Sequence, residues 1–512
     1  MVLKDSLYKV CSPLFLPGLI SLGLLILLLL RSILRAVLSS LRALPGPFLA
    51  RFSRLWYLHW VWHGNFQKIN LELHKRYGGI VRIAPNEYSI DDPEALKTIY
   101  GQGTNFTKST WYFASGNPTT HTTPDLFTDR DPKRHAANRR KTASLYSMTT
   151  LLRMEPCVVE CTALIVERFR EFALSGASFN MHYWLQCYAF DLIGLITVSK
   201  RFGFLDSGSD PEGLFPSLHS YLTYSANVGI YPEVHPILFR FLMYFGGGGM
   251  LHLASFTSTQ IQERLEKNRI GTAVEKKPGS GDDFLARVLK MHEEDPEKFT
   301  AMDVFLTCLS NVVAGSDTTS ITLSAILWYL LKVPETLDKL QNEIDGMATK
   351  GQISDPVTFQ EAQKMPYLQA VIKEALRMHP ATGLPMGRVV PEGGAVISGT
   401  YFPKGTVVGI NSWVAHNNTT VFGGDAGVFR PERWLESEER SQKMERYYIP
   451  FGHGSRTCIG KNISLMEISK LIPQLVRMFD LELVSPEAEL EIENIWFVKP
   501  KNFFCRVSTR KY

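Results

Sequence analysis

The 512-residue sequence lacks the features that would divide it or tie it to a nucleic acid: it has no internal repeat and no block of like charge. Lysine and arginine number 55 against 50 aspartates and glutamates, so the net charge is +5 and is spread along the chain. That excludes the basic stripe by which a protein grips nucleic acid. Cysteine is scarce. The seven (Cys11, Cys157, Cys161, Cys187, Cys308, Cys458 and Cys505) are odd in number and form no Cys-x-x-Cys pair. This argues against a disulfide framework or a zinc site, and for a reducing compartment around the main domain. With 45% hydrophobic residues, the chain is long enough for one large core.

Long apolar runs are also few, and one near the N-terminus stands out. Residues 10–30 are 21 uncharged positions between Lys9 and Arg31, enough to span a bilayer. Pro17 and Gly18 interrupt the run but are tolerated in a membrane helix. The run is long for a signal peptide and lacks a convincing small-residue cleavage site. Lys4 and Lys9 precede it, and Arg31, Arg35, Arg42 and Arg51 follow; the positive-inside rule puts the bulk of the protein in the cytosol. The sequons at Asn105, Asn417 and Asn462 then read as accidental. Pro45-Gly-Pro47 stiffens and turns the chain. We predict a single-pass anchor over residues 1–44 and one catalytic domain over residues 45–512.

What is there, above all, is Phe451-Gly-His-Gly-Ser-Arg-Thr-Cys-Ile-Gly460. Phe451, Gly454, Arg456, Cys458 and Gly460 fit F-x-x-G-x-R-x-C-x-G, which a chain of this length matches by chance on the order of once in ten thousand. A helical pattern follows from Asn462, so Cys458 sits at a helix N-terminus, where free N–H groups and the macrodipole favour a thiolate. Arg456 adds positive charge and a two-pronged donor for a carboxylate. The two glycines let the backbone approach something flat and bulky. A thiolate among backbone donors suits a haem iron whose task is splitting O2.

These residues resemble the haem-ligand loop of the cytochrome P-450 family of haem-thiolate monooxygenases, and further motifs follow in the family's order over about residues 45–510. From Ala301 to Leu331 runs a helical pattern with Ala314-Gly-Ser-Asp-Thr-Thr319 in its middle. A mid-helix glycine costs about 1 kcal/mol and hydroxyls can bond back to the i−4 carbonyl, so a local break is expected. The resemblance implies that Thr318 bonds dioxygen and feeds it protons, that Asp317 relays them, and that Ala314 and Gly315 leave room for O2 and substrate. In Asp131–Thr142, His135 and Arg139 share one helical face; the family commonly has Trp and Arg there for a haem propionate, and this chain has His for Trp. Lys133, Arg134, Arg140 and Lys141 nearby suit an acidic redox partner. Glu374 and Arg377 in Lys373-Glu-Ala-Leu-Arg377, with Arg433 from Pro431-Glu-Arg-Trp434, resemble the family's buried structural triad. Arg388 fits the grip on the second propionate.

Several strands are read around these motifs. Gly78–Ile90 reads as strand, Pro-Asn turn, strand, and residues 384–390, 395–397 and 406–410 as short strands. The irregular, aromatic stretch 104–128 resembles the loop covering the substrate; Thr382 to Met386 and Asn494 to Val498 resemble further lining segments. The fold class implied is mainly α with a minor β region, after one N-terminal transmembrane helix. The cofactor implied is haem b with an axial cysteine thiolate, with O2 as co-substrate and NADPH electrons from a separate reductase. The reaction implied is hydroxylation of an apolar small molecule at the endoplasmic reticulum membrane. The wording of residues 383–434 is similar to filamentous-fungal, pisatin-demethylase-like members and suggests secondary metabolism. Oxidative O-demethylation, a reductase-independent isomerase or dehydratase, and a non-catalytic haem-binding or scaffold protein are the alternatives.

Overall fold

The computed structural model of the chain describes residues 15–119, 124–270 and 281–511. The apolar run forms helix α1, Phe15–Leu38. It continues past Arg31 because the sequence has no breaker there, and among the described residues Gly18–Leu38 is the one straight helix long and apolar enough to cross a membrane. The part of the predicted anchor before residue 15 lies outside the described residues.

Most of the remaining chain is helical, and the helices named here are numbered in chain order. They are α2 (Pro132–Thr142), α3 (Met181–Val198), α4 (Leu214–Val228), α5 (His235–Tyr244), α6 (Ala301–Lys332), α7 (Pro366–Met378) and α8 (Lys461–Met478). Helix α6 starts at a capping box: the Thr300 hydroxyl accepts from the Asp303 N–H while the Asp303 carboxylate accepts from the Thr300 N–H. Its 32 residues run unbroken, so the local break expected at 314–319 does not occur. The Thr318 hydroxyl does donate back to the Ala314 carbonyl, at 2.7 Å, without interrupting the helix.

Gly315 has a different task from the expected one. A Cβ there would lie 2.8 Å from Cδ1 of Ile193, so the glycine lets α3 approach α6 and is a packing notch. Helix α3 is apolar nearly all round and buried along almost its whole length, as a helix at the centre of a large core must be.

The minor β region is a five-stranded sheet with a three-stranded and two two-stranded ones beside it in the fold. Strands β1 (Ile80–Ala84) and β2 (Glu87–Ile90) form the hairpin expected around Pro85-Asn86. With β3 (Thr107–Lys108), β4 (Arg388–Val389) and β5 (Val407–Gly409) the order is β1-β2-β5-β4-β3. The strand expected over 384–390 is reduced to two residues; Pro385, without an N–H, cannot serve a ladder. Antiparallel β3–β4 pairing puts Lys108 directly opposite Arg388. Near the C-terminus β6 (Glu491–Ile495) and β7 (Phe497–Lys501) form a hairpin whose tip, Trp496, packs on Trp111 at 4.5 Å between ring centres.

Candidate functional site: a thiol, a cationic pocket and a helix face

The cysteine loop closes on itself through the Cys458 N–H, which donates to the Phe451 carbonyl at 2.8 Å. Gly454 is required by its surroundings: its φ is +66°, and a Cβ there would lie 1.8 Å from the Tyr100 carbonyl oxygen. At Gly460 a Cβ would only touch the Cys458 Sγ at an ordinary contact distance of 3.9 Å. Cys458 is the exposed cysteine among those described, whereas Cys157, Cys161, Cys187, Cys308 and Cys505 are buried.

Although its surface opens into the pocket, the protein crowded around the Cys458 thiol desolvates it and pushes it above its ordinary value. The N–H groups of Gly460 and Lys461 and the charges of Arg139 and Lys461 act the other way without overcoming it. The loop and helix end thus favour the thiolate, as expected, but are outweighed by desolvation. A metal cation bound by the sulfur would supply the rest, since a coordinating thiol is deprotonated outright.

Five cationic or basic side chains gather beside this thiol. Arg388 is buried, lies over the Tyr100 ring at 4.9 Å and donates to the Gly387 carbonyl at 3.0 Å. Arg456 donates from one Nη to the Asp129 main-chain carbonyl at 2.8 Å. Arg139 and His135 come from one face of α2, with His135 buried and Arg139 half-buried. Lys108 is buried, its ammonium donating to the Leu126 and Phe127 carbonyls at 3.3 and 2.5 Å. Among the described residues none of the five forms a salt bridge with a carboxylate. His135 is pushed down to about 3 by burial, then by Arg456, Lys108, Arg139 and Arg388; Arg456 is pushed down to about 10 by burial and then Arg388. Lys108 is pushed well down by burial and the same two arginines. Like charges so close are mutually destabilising, and a pair of carboxylates among them would reverse the balance.

Opposite, α6 presents a strip of open surface. Ala314 is exposed and Thr318 partly so, while Ser316, Asp317 and Thr319 around them are buried. The Thr319 and Ser464 hydroxyls lie 2.9 Å apart, tying α6 to the first turns of α8 beside the thiol. Asp317 points away from this strip: its Oδ1 accepts from Gln186 of α3 at 2.6 Å and its Oδ2 is paired with the Lys499 ammonium of β7. Open thiol, unpaired cations and a small-residue helix face fit a flat group carrying a metal and two carboxylates, which is the donor set of haem.

The family model described as Cytochrome P450 matches residues 45–506. The chain belongs to the cytochrome P450 family. It is 42% identical over 465 residues to pisatin demethylase of Fusarium vanettenii, covering 90% of this chain and 88% of that one. It is 37% identical to cytochrome P450 monooxygenase cicH of Emericella nidulans, covering 91% and 93%, and 34% identical to monooxygenase pkfB of the same organism, covering 96% and 98%. The protein is thus a P450 oxidoreductase, and the family implies haem-thiolate iron.

Away from the pocket, this P450 brings Glu374, Arg377 and Arg433 together, all three fully buried. Arg377 donates to both Glu374 oxygens at 2.9 and 2.8 Å, Arg433 Nε to Oε1 at 2.9 Å, and the Trp434 indole to Oε2 at 2.9 Å. The link to the cysteine loop runs through His416, which sequence reading missed. Its Nδ1–H donates to the Arg377 carbonyl at 3.0 Å, and its Nε2 accepts from the Ile449 N–H at 2.9 Å, two residues before Phe451. Phe451 itself is half-buried beneath the Lys461 ammonium, 5.6 Å from its ring. Lys108, Lys499 and Gln186 were also missed. A lone glutamine in the apolar α3 was the one available signal, and the two lysines carried none.

Proposed function

We propose that this P450 is a membrane-anchored monooxygenase that inserts one atom of O2 into a C–H bond of an apolar small molecule. Electrons come from a separate NADPH-dependent reductase, and the setting is fungal secondary metabolism. The observation that carries the reading is the open Cys458 thiol at the start of α8, beside the Ala314–Thr318 strip of α6. Bound haem would supply the activation of O2 and the transfer of oxygen.

The chain's own residues do the rest. Cys458 ligates through its thiolate, helped by the Gly460 and Lys461 N–H groups. Arg139, Arg388 and Arg456, with His135 and Lys108, bind the propionates and lose their mutual repulsion in doing so. Ala314 keeps the helix surface low where substrate must come close. The Thr318 hydroxyl can hold a proton on the pocket side, and Asp317 behind it can replace that proton. Glu374, Arg377 and Arg433 hold the base of the cysteine loop and touch no substrate. Lys133 and Arg140 are exposed on α2, whereas Arg134 is paired with Asp129 and Lys141 with Asp303; the exposed pair suits an acidic reductase surface.

Attachment to the endoplasmic reticulum membrane rests on α1 and on a second apolar surface. In and just beyond α5, Ile237, Phe241, Tyr244 and Phe245 are 60–84% exposed. Arg54 pairs with Glu233 at 3.0 Å, bringing exposed Leu49, Leu55 and Trp62 to the same side. Oxidative O-demethylation is the second reading, favoured by the likeness to proteins named pisatin demethylase at 42% and 41% identity.

The test is spectral and chemical. Cys458→His should abolish the thiolate-type spectrum of the reduced, carbon-monoxide-bound protein; an unchanged spectrum removes Cys458 from the site. Deleting the gene in its host should accumulate an intermediate that the protein oxygenates only with NADPH and reductase. Rearrangement of that intermediate without reductase would overturn the reading.

A further inference from the structure

The hairpin of β6 and β7 turns on one residue. Ile495 and Phe497 are ladder partners, so Trp496 alone makes the turn, and its φ is +81°. Glycine takes that conformation freely, whereas a bulky side chain there is an outlier held only by its surroundings. Glycine would serve the backbone better, yet the chain puts its largest kind of side chain at this point. The turn is therefore kept for the indole. The base of the hairpin is fixed: the Trp496 carbonyl accepts from the Gly383 N–H at 2.9 Å. The Asn494 amide donates to the Gly383 carbonyl at 3.0 Å and to Gln67 at 2.8 Å.

Three further rings from distant segments converge on this indole. Trp111, Tyr112 and Phe127 lie 4.5, 6.2 and 5.9 Å from it between ring centres, tilted by 35°, 76° and 59°. Among themselves, Tyr112 meets Trp111 at 88° and Phe127 at 65°. None of these pairs is stacked face to face, so the rings do not use up one another's faces. Trp111 is fixed by the end of α4: its indole N–H donates to the Ala226 carbonyl at 3.3 Å, and a Cβ at Gly229 would lie 2.5 Å from its Cδ1. Phe127 is 38% exposed and Trp111 half-buried. The group borders the cation pocket, for Arg388 donates to the Tyr112 hydroxyl at 3.4 Å. The Lys108 ammonium lies over the Tyr112 and Phe127 rings at 4.7 and 5.1 Å. Strand β7 is anchored to α6 by the Lys499–Asp317 pair. That anchor follows Trp496 by three residues on the strand and Ala314 by three on the helix, which brings the tip to the part of α6 that carries the open strip.

We propose that Trp496 is a specificity-determining residue and that the substrate is a flat, aromatic small molecule, received ring against ring by Trp496 and Phe127. This rests on the reading that the pocket beside Cys458 is where an apolar small molecule is oxygenated, and it names the class of that molecule. An aliphatic pocket holds an apolar guest according to the area it buries. Ring against ring adds an attraction between offset faces, or between a face and an edge, that a saturated guest lacks. The tight turn keeps the indole from drifting out of that position. Ala314 and Thr318 on α6 bring no ring of their own, so the discrimination sits on the hairpin side. If Trp496 only fastened the hairpin to Trp111, an apolar contact at an unstrained position would serve.

The test reads binding, not turnover, in the haem-loaded full chain in lipid nanodiscs. Phenanthrene and perhydrophenanthrene share one carbon skeleton and differ in aromaticity. Each is titrated into wild type, Trp496→Leu and Trp496→Phe, with the haem absorption band as one readout and calorimetry as the other. Partition of a probe into lipid is the same for every variant and cancels in the variant-to-wild-type ratio of Kd. Trp496→Leu should weaken phenanthrene roughly two- to tenfold more than perhydrophenanthrene, the range an aromatic pair adds beyond its buried area. Trp496→Phe should restore most of that difference. Equal weakening of both probes, or no binding of phenanthrene to wild type, overturns the proposal. Should Trp496→Leu lose haem, Phe127→Leu at its exposed position should show the same bias, and an equal effect on both probes there overturns the proposal too. Neither reductase nor NADPH is present, so the two readings fail apart. A protein that favours the aromatic probe but oxygenates nothing keeps the stacking site and loses the oxygenation reading. One that oxygenates its substrate without that bias loses this inference alone.

Discussion

Single residues here are fixed by what lies within a few ångströms of them. Gly454 tolerates no side chain because the Tyr100 carbonyl occupies its Cβ position, while Gly315 exists for Ile193. The Lys108 ammonium, opposite Arg388 and buried, is a burden on the protein until an anion arrives. Lys108→Met should therefore raise the melting temperature of haem-free protein while weakening haem retention, measured by haem content after gel filtration. Equal stability and equal retention would mean the ammonium is already satisfied by the two carbonyls it bonds. Thr318→Ala removes the hydroxyl that bonds Ala314 and leaves a cavity of one small group. It should divert reducing equivalents to hydrogen peroxide several-fold, read as peroxide per NADPH; unaltered partition would leave this hydroxyl with helix packing alone.

At the scale of elements, the network around Glu374 joins α7, the 416–434 segment and the irregular stretch at Ile449 that leads into the cysteine loop. One carboxylate accepts from Arg377, Arg433, the Trp434 indole and the Arg430 N–H. Such a network is costly when half made. Glu374→Gln leaves the buried Arg377 guanidinium without its charge partner and Arg433 with Asp425 alone, and should cost roughly 3–5 kcal/mol. Thermal unfolding should show the loss, with haem content falling in parallel and the position of the carbon-monoxide band unchanged in the molecules that keep haem. A shifted band would make the triad a part of the ligand field. His416 transmits the same network to Ile449 and is pushed down to about 3 by burial, then by Arg377. Its ring is neutral, as accepting from the Ile449 N–H requires.

For the whole molecule the buried histidines set the acid limit. His74 and His379 are pushed down to about 4, and His182 and His416 to about 3, each by burial first. A base depressed on folding gives stability that is complete above its unfolded value, near 6.5, and is lost as pH falls toward the folded one. Each group contributes up to about 1.4 kcal/mol per pH unit in that window. Melting temperature should therefore fall steeply from pH 6.5 to 5, and a flat profile there would contradict the buried assignment. Glu467 of α8 has the opposite sign. It is fully buried, both oxygens lack a hydrogen-bond partner among the described residues, and burial pushes it well up. Its contribution is complete below the ordinary carboxyl range and is lost as pH rises. Glu467→Gln should flatten the stability profile above about pH 4.3, and an unchanged slope would show the acid ionised in the fold.

Much of this was legible in the chain because it is written in local spacing. The cysteine loop, the i, i+3 pair Glu374–Arg377, the Asp-Thr-Thr run and the apolar N-terminal stretch need only neighbours in sequence, helix periodicity and the hydrophobic thickness of a bilayer to be read. What needed the tertiary structure is what distant segments do to one another. Nothing in sequence places Lys108 against Arg388 or Lys499 against Asp317, because strand pairing and helix crossing bring together residues 280 and 182 positions apart. Nor does spacing tell that Gly454 meets the Tyr100 carbonyl and Gly315 a neighbouring helix. Sequence alone determined the family and the chemical parts; the fold decided, through burial and the meeting of like and unlike charges, which parts are strained, which are free, and from which side each is reached.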